Sequence, residues 1–121
     1  MVKIIYCLRK KPDISKDEFY DHWVNKHGPL VAKYANTLGI KRYVQSHTTA
    51  LDLNDFIKTT SGNADYYDGV AEIWLESREA FLAAGGKPEA QEANALIQED
   101  AQKFVDSSSS CVFFTEEHTI V

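Results

Sequence analysis

The order of strand-like and helical segments constrains the fold of this chain more than any other sequence feature. One helical region opens at Ser15 and Glu18, a pair that can form a reciprocal capping box. A later region contains a short helix capped by Ser77 and a longer one over residues 88–105. Segments rich in β-branched and aromatic residues predict four strands, at residues 2–9, 40–48, 67–75 and 111–115. This β-α-β-β-α-β order predicts a single α+β domain over residues 1–121, built on a four-stranded antiparallel sheet.

Residues 19–30 combine two histidines, a tryptophan and a Gly-Pro pair. The three-four spacing of Phe19 and Trp23 predicts a helix whose aromatic face packs on the sheet. Gly28-Pro29 is predicted to break that helix. His22 and His27 are five residues apart, so on an α-helix they do not share a face as an i, i+4 pair does. This spacing argues against a metal site.

Residues 49–66 separate the second strand from the third and are mostly polar. They contain Asn54-Asp55 and Gly62-Asn63, residue pairs that are typical of turns. We therefore predict a loop, with a helical turn around Phe56 and Ile57. A loop of this length in so small a domain is often functional or mobile.

Charge and composition narrow the partners that this chain can have. The net charge of −5 argues against nucleic acid, because phosphate binding depends on clustered Lys and Arg. No apolar run approaches the roughly 20 residues that span a bilayer, so no membrane partner is expected. Two cysteines are too few for a secreted disulfide scaffold, and the N-terminal residues lack a signal-peptide layout. These features predict a cytoplasmic protein.

The sheet face that carries no helices is expected to be apolar. Strand alternation assigns Tyr43, Val70 and Trp74 to this face, together with polar groups. An uncovered patch of this kind is unusual for a monomer. A second copy packed by a twofold axis would cover it, so we predict a homodimer with a cavity between the two sheets.

Four short motifs, in the same order along nearly the whole chain, resemble those of EthD-domain proteins. They are Phe19-x-x-His22-Trp23-x-x-x-His27-x-Pro29-Leu30, Arg42-Tyr43-Val44-Gln45-x-His47, Tyr67-Asp68-Gly69-Val70-Ala71-Glu72-Ile73-Trp74 and Phe114-x-Glu116-Glu117-His118. The resemblance implies a ferredoxin-like fold of the dimeric α+β barrel superfamily. That fold agrees with the order of elements above.

For function, the resemblance implies an apolar cavity with a few polar groups that act on a small, often aromatic, substrate. Relatives by fold include polyketide cyclases, muconolactone isomerases and cofactor-free monooxygenases. We therefore expect a cofactor-independent oxidoreductase or a cyclase or isomerase, acting by acid–base chemistry on a catabolic or polyketide-type metabolite. No cofactor and no metal are expected. The alternative is a non-catalytic protein that binds a hydrophobic ligand or accompanies an oxygenase.

His47 is the first candidate for acid–base chemistry. It is predicted to share a strand face with Tyr43 and Gln45, and imidazole can give or take a proton near neutral pH. The alternative is a histidine at a strand end that bonds a loop carbonyl.

His27 and Glu72 are the other two catalytic candidates. His27 either projects from the helix end towards the cavity or caps the free carbonyls there. Glu72 either lies in the apolar cavity with a raised pKa, which suits a general acid or base, or pairs with Arg42 or Lys41 on the next strand. The residues predicted to contact the substrate are Tyr43, Gln45, Tyr67, Asp68 and Trp74.

Overall fold

The computed structural model describes all 121 residues and contains one four-stranded antiparallel sheet. The strands stand in the order β2-β3-β1-β4, where β1 is Val2–Leu8, β2 is Ile40–His47, β3 is Gly69–Leu75 and β4 is Cys111–Glu116. Helices connect β1 to β2 and β3 to β4. The predicted α+β fold, with its ferredoxin-like βαββαβ order, is confirmed.

The two faces of the sheet differ in burial. Along β3, buried and half-buried residues alternate without interruption, as expected for a strand covered on one side only. We call the side that carries Ala71 and Ile73 the inner face, and the side that carries Glu72 and Trp74 the outer face. Ala71 belongs to the core formed with helical aromatic residues, which places the helices on the inner face.

The first helical region is continuous across the Gly-Pro pair. It consists of α1 (Lys16–His22), a π-helical turn (Trp23–His27), α2 (Gly28–Lys33) and α3 (Ala35–Leu38). The predicted capping box at its start is present. The predicted break at Gly28-Pro29 is wrong, because Gly28 is helical and its amide donates to the Trp23 carbonyl five residues earlier. Proline lacks an amide and its ring collides with the carbonyl four residues before it in a regular α-helix; a π turn, with its five-residue spacing, lets the helix continue.

Residues between β2 and β3 form a helix rather than the predicted loop. This helix, α4, spans Leu51–Ser61 and ends at Gly62, whose φ of 65° is left-handed. Its apolar residues do not reach the core: Leu53, Phe56 and Ile57 are all exposed. Gly62 and Asn63, a pair that favoured a loop in the sequence, instead end this helix.

The second helical region contains α5 (Arg78–Gly85) and α6 (Pro88–Ala101). The Ser77 side chain caps α5 as predicted by accepting the Ala80 amide. The longer helix ends four residues earlier than the predicted Val105. No helix in the structure combines the length and apolar character that crossing a bilayer requires.

Three aromatic side chains fasten the helices to the inner face. Phe19, Trp23 and Phe104 are fully buried, and the ring of Phe19 lies within 5.6 Å of both other rings, centroid to centroid. Trp23 packs directly over Gly69 at the start of β3. A Cβ at Gly69 would lie 2.4 Å from Cζ3 of Trp23, so this close approach needs glycine. The predicted packing role of Phe19 and Trp23 is therefore observed.

Candidate functional site

A cavity of about 710 Å³ lies between the inner face of the sheet and the helices. Of the 27 residues that line it, 20 are hydrophobic, so the space suits a mainly apolar ligand. Its polar wall includes His27, Tyr6 and Tyr43. The cavity lies within one chain, whereas the sequence led us to expect one between two sheets.

The strand pairing of β2 explains this difference. A bulge shifts the register between Ile40 and Arg42, after which Tyr43 pairs with Ile73. Gln45 and His47 follow on the same side. All three therefore lie on the inner face, and the assignment of Tyr43 to the uncovered face is wrong.

His27 is buried at the end of the π turn, at the cavity wall. Its Nδ1 lies 2.8 Å from Oδ2 of Asp100 on α6. Its Nε2 has no hydrogen-bond partner in the protein and is accessible to solvent. The ring does not cap the helix, so the alternative of a capping histidine is wrong.

The electrostatics around His27 favour a neutral ring. Burial lowers the pKa of His27 below its ordinary value of 6.5, and the hydrogen bond with Asp100 offsets this only in part. Burial acts to raise the pKa of Asp100, but the hydrogen bonds and charges of His27 and His22 outweigh it and hold that pKa below its usual value. A neutral imidazole beside a carboxylate carries its proton on the bonded nitrogen, Nδ1. The lone pair is then on Nε2.

His22 reaches the same carboxylate from one turn earlier. Its Nε2 lies 3.1 Å from each carboxylate oxygen of Asp100. The expectation that His22 and His27 cannot share a helix face is wrong, because the π turn between them brings residues five apart into line. Although His22, His27 and Asp100 meet here, they do not form a group that could hold a metal ion.

Tyr43, Gln45 and His47 form a chain of hydrogen bonds along β2. The Gln45 amide nitrogen donates to the Tyr43 hydroxyl and to the Trp23 carbonyl, at 2.8 Å each. The amide oxygen of Gln45 lies 2.9 Å from Nε2 of His47. Among these three residues, only Tyr43 lines the cavity.

His47 is enclosed by aromatic rings instead. It stacks on Trp23, with centroids 4.5 Å apart, and on Tyr20, with centroids 5.0 Å apart. Burial lowers the pKa of His47, and no carboxylate opposes that effect. The contact of this ring is with Gln45 rather than with the loop carbonyl that we considered as an alternative.

The two cavity tyrosines keep their protons at neutral pH. Burial raises the pKa of Tyr43. Burial also raises the pKa of Tyr6, and the electrostatic effect of Tyr43 adds to this. The Tyr43 oxygen accepts a hydrogen bond from Gln45, so its own O–H remains available as a donor. The Tyr6 side chain has no hydrogen-bond partner in the protein and lines the same cavity.

Glu72 and Trp74 lie on the outer face, away from the cavity. Glu72 is 2.7 Å from the Lys3 ammonium, so it pairs across strands as in our alternative, but with a different cation. The Trp74 indole donates to Glu117 and its ring carries the guanidinium of Arg42 at 4.6 Å. The structure thus separates Glu72 from His27 and His47.

Tyr67 and Asp68, which were predicted to begin the third strand, lie just before β3 and do not line the cavity. The Asp68 side chain accepts the Lys10 amide, and its carbonyl accepts the Tyr20 hydroxyl at 2.7 Å. The Tyr67 hydroxyl lies 3.6 Å from Sγ of Cys111, and its ring lies under the Arg9 guanidinium. In this single chain both residues therefore make structural contacts.

The model of the EthD domain matches residues 11–108. This chain belongs to the EthD family. A relative with a curated function, the dehydratase ustZ of Ustilaginoidea virens, is 26% identical over 113 residues, which cover 88% of this chain and 79% of that protein.

Two solved structures confirm the fold. An EthD family protein of Bacillus halodurans superposes with a TM-score of 0.62 at 21% identity, covering 98% of this chain and 99% of the other. SnoaB, a cofactor-independent oxygenase of Streptomyces nogalater, gives a TM-score of 0.58 at 11% identity, covering 99% and 95%.

Two residues that shape the site of this EthD chain, Asp100 and Tyr6, were not predicted from the sequence. Asp100 is separated from His27 by 73 positions and lies in a helix rich in acidic and amide residues, where nothing local distinguishes it. Tyr6 lies in β1, for which the sequence predicted a strand and no site residue. Only the alternation of β1, combined with knowledge of which face the helices cover, would have directed Tyr6 to the cavity.

Proposed function

We propose that this EthD-family protein is an enzyme that moves protons on a small apolar or aromatic substrate, with His27 as the general base. One observation carries the proposal: His27 bonds Asp100 through Nδ1 and leaves Nε2 without a partner at the wall of an apolar cavity. A base oriented by a second group and facing a ligand space is the arrangement that general-base catalysis requires.

The Asp100 carboxylate has two roles in this proposal. By accepting the Nδ1 proton it fixes the tautomer in which Nε2 can receive a proton from the substrate. Once His27 has taken that proton, the adjacent negative charge stabilises the imidazolium. The pKa of Asp100, which lies below its usual value, keeps the carboxylate charged throughout the neutral range.

The tyrosines supply hydrogen bonds to an oxygen of the substrate. Removing a proton next to a carbonyl places negative charge on the carbonyl oxygen, which an O–H donor stabilises. Tyr43 is held in place by Gln45 and has a donor to spare. Tyr6 lines the same space and stays protonated because burial raises its pKa.

Dehydration is the reaction that we place first, with support from the similarity to a dehydratase. His27 takes a proton from the carbon between a carbonyl and a hydroxyl-bearing carbon. The enolate then expels hydroxide, to which His27 returns the proton. One C–H and one C–O bond break, a C=C bond forms, and water leaves without any oxidant or cofactor.

The same first step also starts the other reaction types expected from the sequence. An isomerase returns the proton to another carbon, a cyclase directs the carbanion to a second carbonyl, and a cofactor-independent oxygenase lets the carbanion react with O₂. The similarity in fold to SnoaB keeps oxygenation as the second candidate. Consumption of O₂ distinguishes oxygenation from the other reactions.

We also propose that two copies associate through their outer faces. This face carries Val70 and Trp74 half-buried and Phe113 exposed, beside the pair of Lys3 and Glu72. Covering it with a second sheet removes apolar surface from water. Sedimentation should give twice the 13.7 kDa chain mass, and a 13.7 kDa species at moderate concentration would contradict the dimer.

Two bicyclic ketones test the proposed chemistry. 1-Tetralone in D₂O should exchange its C2 protons faster with the protein than without it, because exchange requires only a base. 3-Hydroxy-1-tetralone should lose water to give 1-naphthol, which is detected by fluorescence, without O₂ consumption. His27→Ala should abolish both accelerations.

The same experiment separates catalysis from ligand binding alone. Quenching of tryptophan fluorescence reports binding, since Trp23 lines the cavity. Saturable binding of 1-tetralone without exchange above the His27→Ala level would refute the enzyme and favour the non-catalytic alternative.

A further inference from the structure

His22 is a half-buried polar group for which the proposed reaction has no direct use. It does not line the cavity, yet its Nε2 lies 3.1 Å from both oxygens of Asp100. Its ring packs on Phe104, with centroids 4.8 Å apart, beside the ring of His27. The side chains of His22, His27 and Asp100 keep only 19%, 10% and 13% of their surface exposed, so bulk water does not replace these contacts.

The contacts of Asp100 define what His22 can do. The titratable and charged groups against this carboxylate are His22 and His27 from the first helical region and Lys103 from the turn after α6. Lys103 is 3.5 Å away and 61% exposed, so water largely screens its effect. His22 is thus the main competitor of His27 for the carboxylate.

Such sharing changes what the carboxylate does to His27. A carboxylate bonded only to His27 favours the imidazolium, and a protonated His27 cannot act as a base. A second N–H on the same carboxylate disperses its negative charge and weakens that preference. It also fixes the side chain, so the oxygen that bonds Nδ1 stays in place.

We propose that His22 is a positioning residue for the base: by donating its Nε2 proton to Asp100, it orients this carboxylate and shares its charge, so that His27 remains neutral. The inference rests on the proposed function, which gives His27 its catalytic role. The π turn makes the arrangement possible, because it brings both imidazoles onto one carboxylate.

Imidazole NMR of the full ¹⁵N-labelled chain tests this inference without a substrate. The pKa of His27 should rise in His22→Phe, which keeps a ring against Phe104 but has no N–H. His22→Gln retains an amide N–H in the place of Nε2, so the pKa of His27 should rise less than in His22→Phe. Lys103→Gln, which removes the exposed charge, is the matched control and should leave the pKa of His27 unchanged.

Two results would overturn the inference. Equal pKa values of His27 in His22→Gln and His22→Phe would show that the donated proton is not the cause. If neither substitution yields a folded chain, the wild type alone decides, since neutral His22 must carry its proton on Nε2; a proton on Nδ1 would contradict the proposal. These spectra do not depend on turnover, so inactivity towards the tetralones would refute the proposed function and leave this arrangement standing.

Discussion

His27 is buried and His47 half-buried, both against aromatic rings, yet they face different surroundings. The ring of His27 lies against Phe104 at the cavity wall, bonded to a carboxylate. The ring of His47 stacks between Tyr20 and Trp23, bonded to an amide and outside the cavity lining. Burial lowers both pKa values.

Surroundings that favour a neutral imidazole do not by themselves make it a catalytic group. A general base needs a free nitrogen that reaches the ligand and a partner that stabilises its protonated form. His27 lines the cavity with an unbonded Nε2 and has Asp100 as such a partner, whereas both ring faces of His47 are occupied by packing. We therefore propose catalysis at His27 and a packing role at His47, which reverses the order suggested by the sequence.

The largest expected effect comes from the partner of His27. Asp100→Asn replaces the charged acceptor with a neutral amide and removes the stabilisation of the imidazolium. We expect the rate of 1-tetralone exchange to fall by about 10²–10⁴-fold, the usual contribution of general acid–base catalysis. Lys103→Gln removes the exposed ammonium near Oδ1 of Asp100, the oxygen that does not bond His27, and should leave the rate unchanged. An unchanged rate in Asp100→Asn would remove the distinction between the two histidines.

Gly69→Ala should destabilise the packing of Trp23, which lines the cavity and stacks on His47. The new Cβ would lie 2.4 Å and 2.6 Å from two ring atoms of Trp23, so the indole must move away from β3. Overpacking of this kind costs about 1–3 kcal/mol in the free energy of unfolding, measured by urea denaturation. Gly85→Ala is the control, because a Cβ there meets nothing within 4 Å. Equal stability of the two variants would contradict the packing described here.

Tyr43→Phe tests the link between the two regions. Tyr43 lines the cavity, and its hydroxyl accepts a hydrogen bond from the glutamine that also contacts His47. Removing the hydroxyl should slow tetralone exchange by about tenfold through the loss of one donor to the enolate oxygen, a smaller effect than at Asp100. A rate equal to that of wild type would show that the substrate oxygen does not use Tyr43.

The strands, the capping box and the aromatic packing were predictable because each depends on neighbouring residues. The segment at Gly28-Pro29 was not, since this pair usually ends a helix and only the surrounding structure favours a π turn there. The contact between His27 and Asp100 joins positions 73 apart, so no local pattern contains it. The bulge near the start of β2 was not predictable either. It places Tyr43 and the alternating side chains that follow on the inner face, whereas Tyr43 was assigned to the outer face.

The smallest expected effect is on stability below neutral pH. Both histidines have folded-state pKa values below the ordinary 6.5, so the unfolded chain binds their protons more tightly. Their contribution to stability is complete above about pH 6.5 and is lost as the pH falls through the folded pKa values. Urea unfolding at about pH 7.5 and about pH 5 should show this loss, reduced in both His27→Gln and His47→Gln. If both variants lost as much stability as the wild type, the lowered pKa values of the two imidazoles would be contradicted.

The most direct test of the different roles of the two histidines is the rate of 1-tetralone exchange in His27→Gln and His47→Gln, measured per folded chain. We expect His27→Gln to lose nearly all of the acceleration and His47→Gln to retain most of it. The opposite order would place the base on β2 and contradict this account.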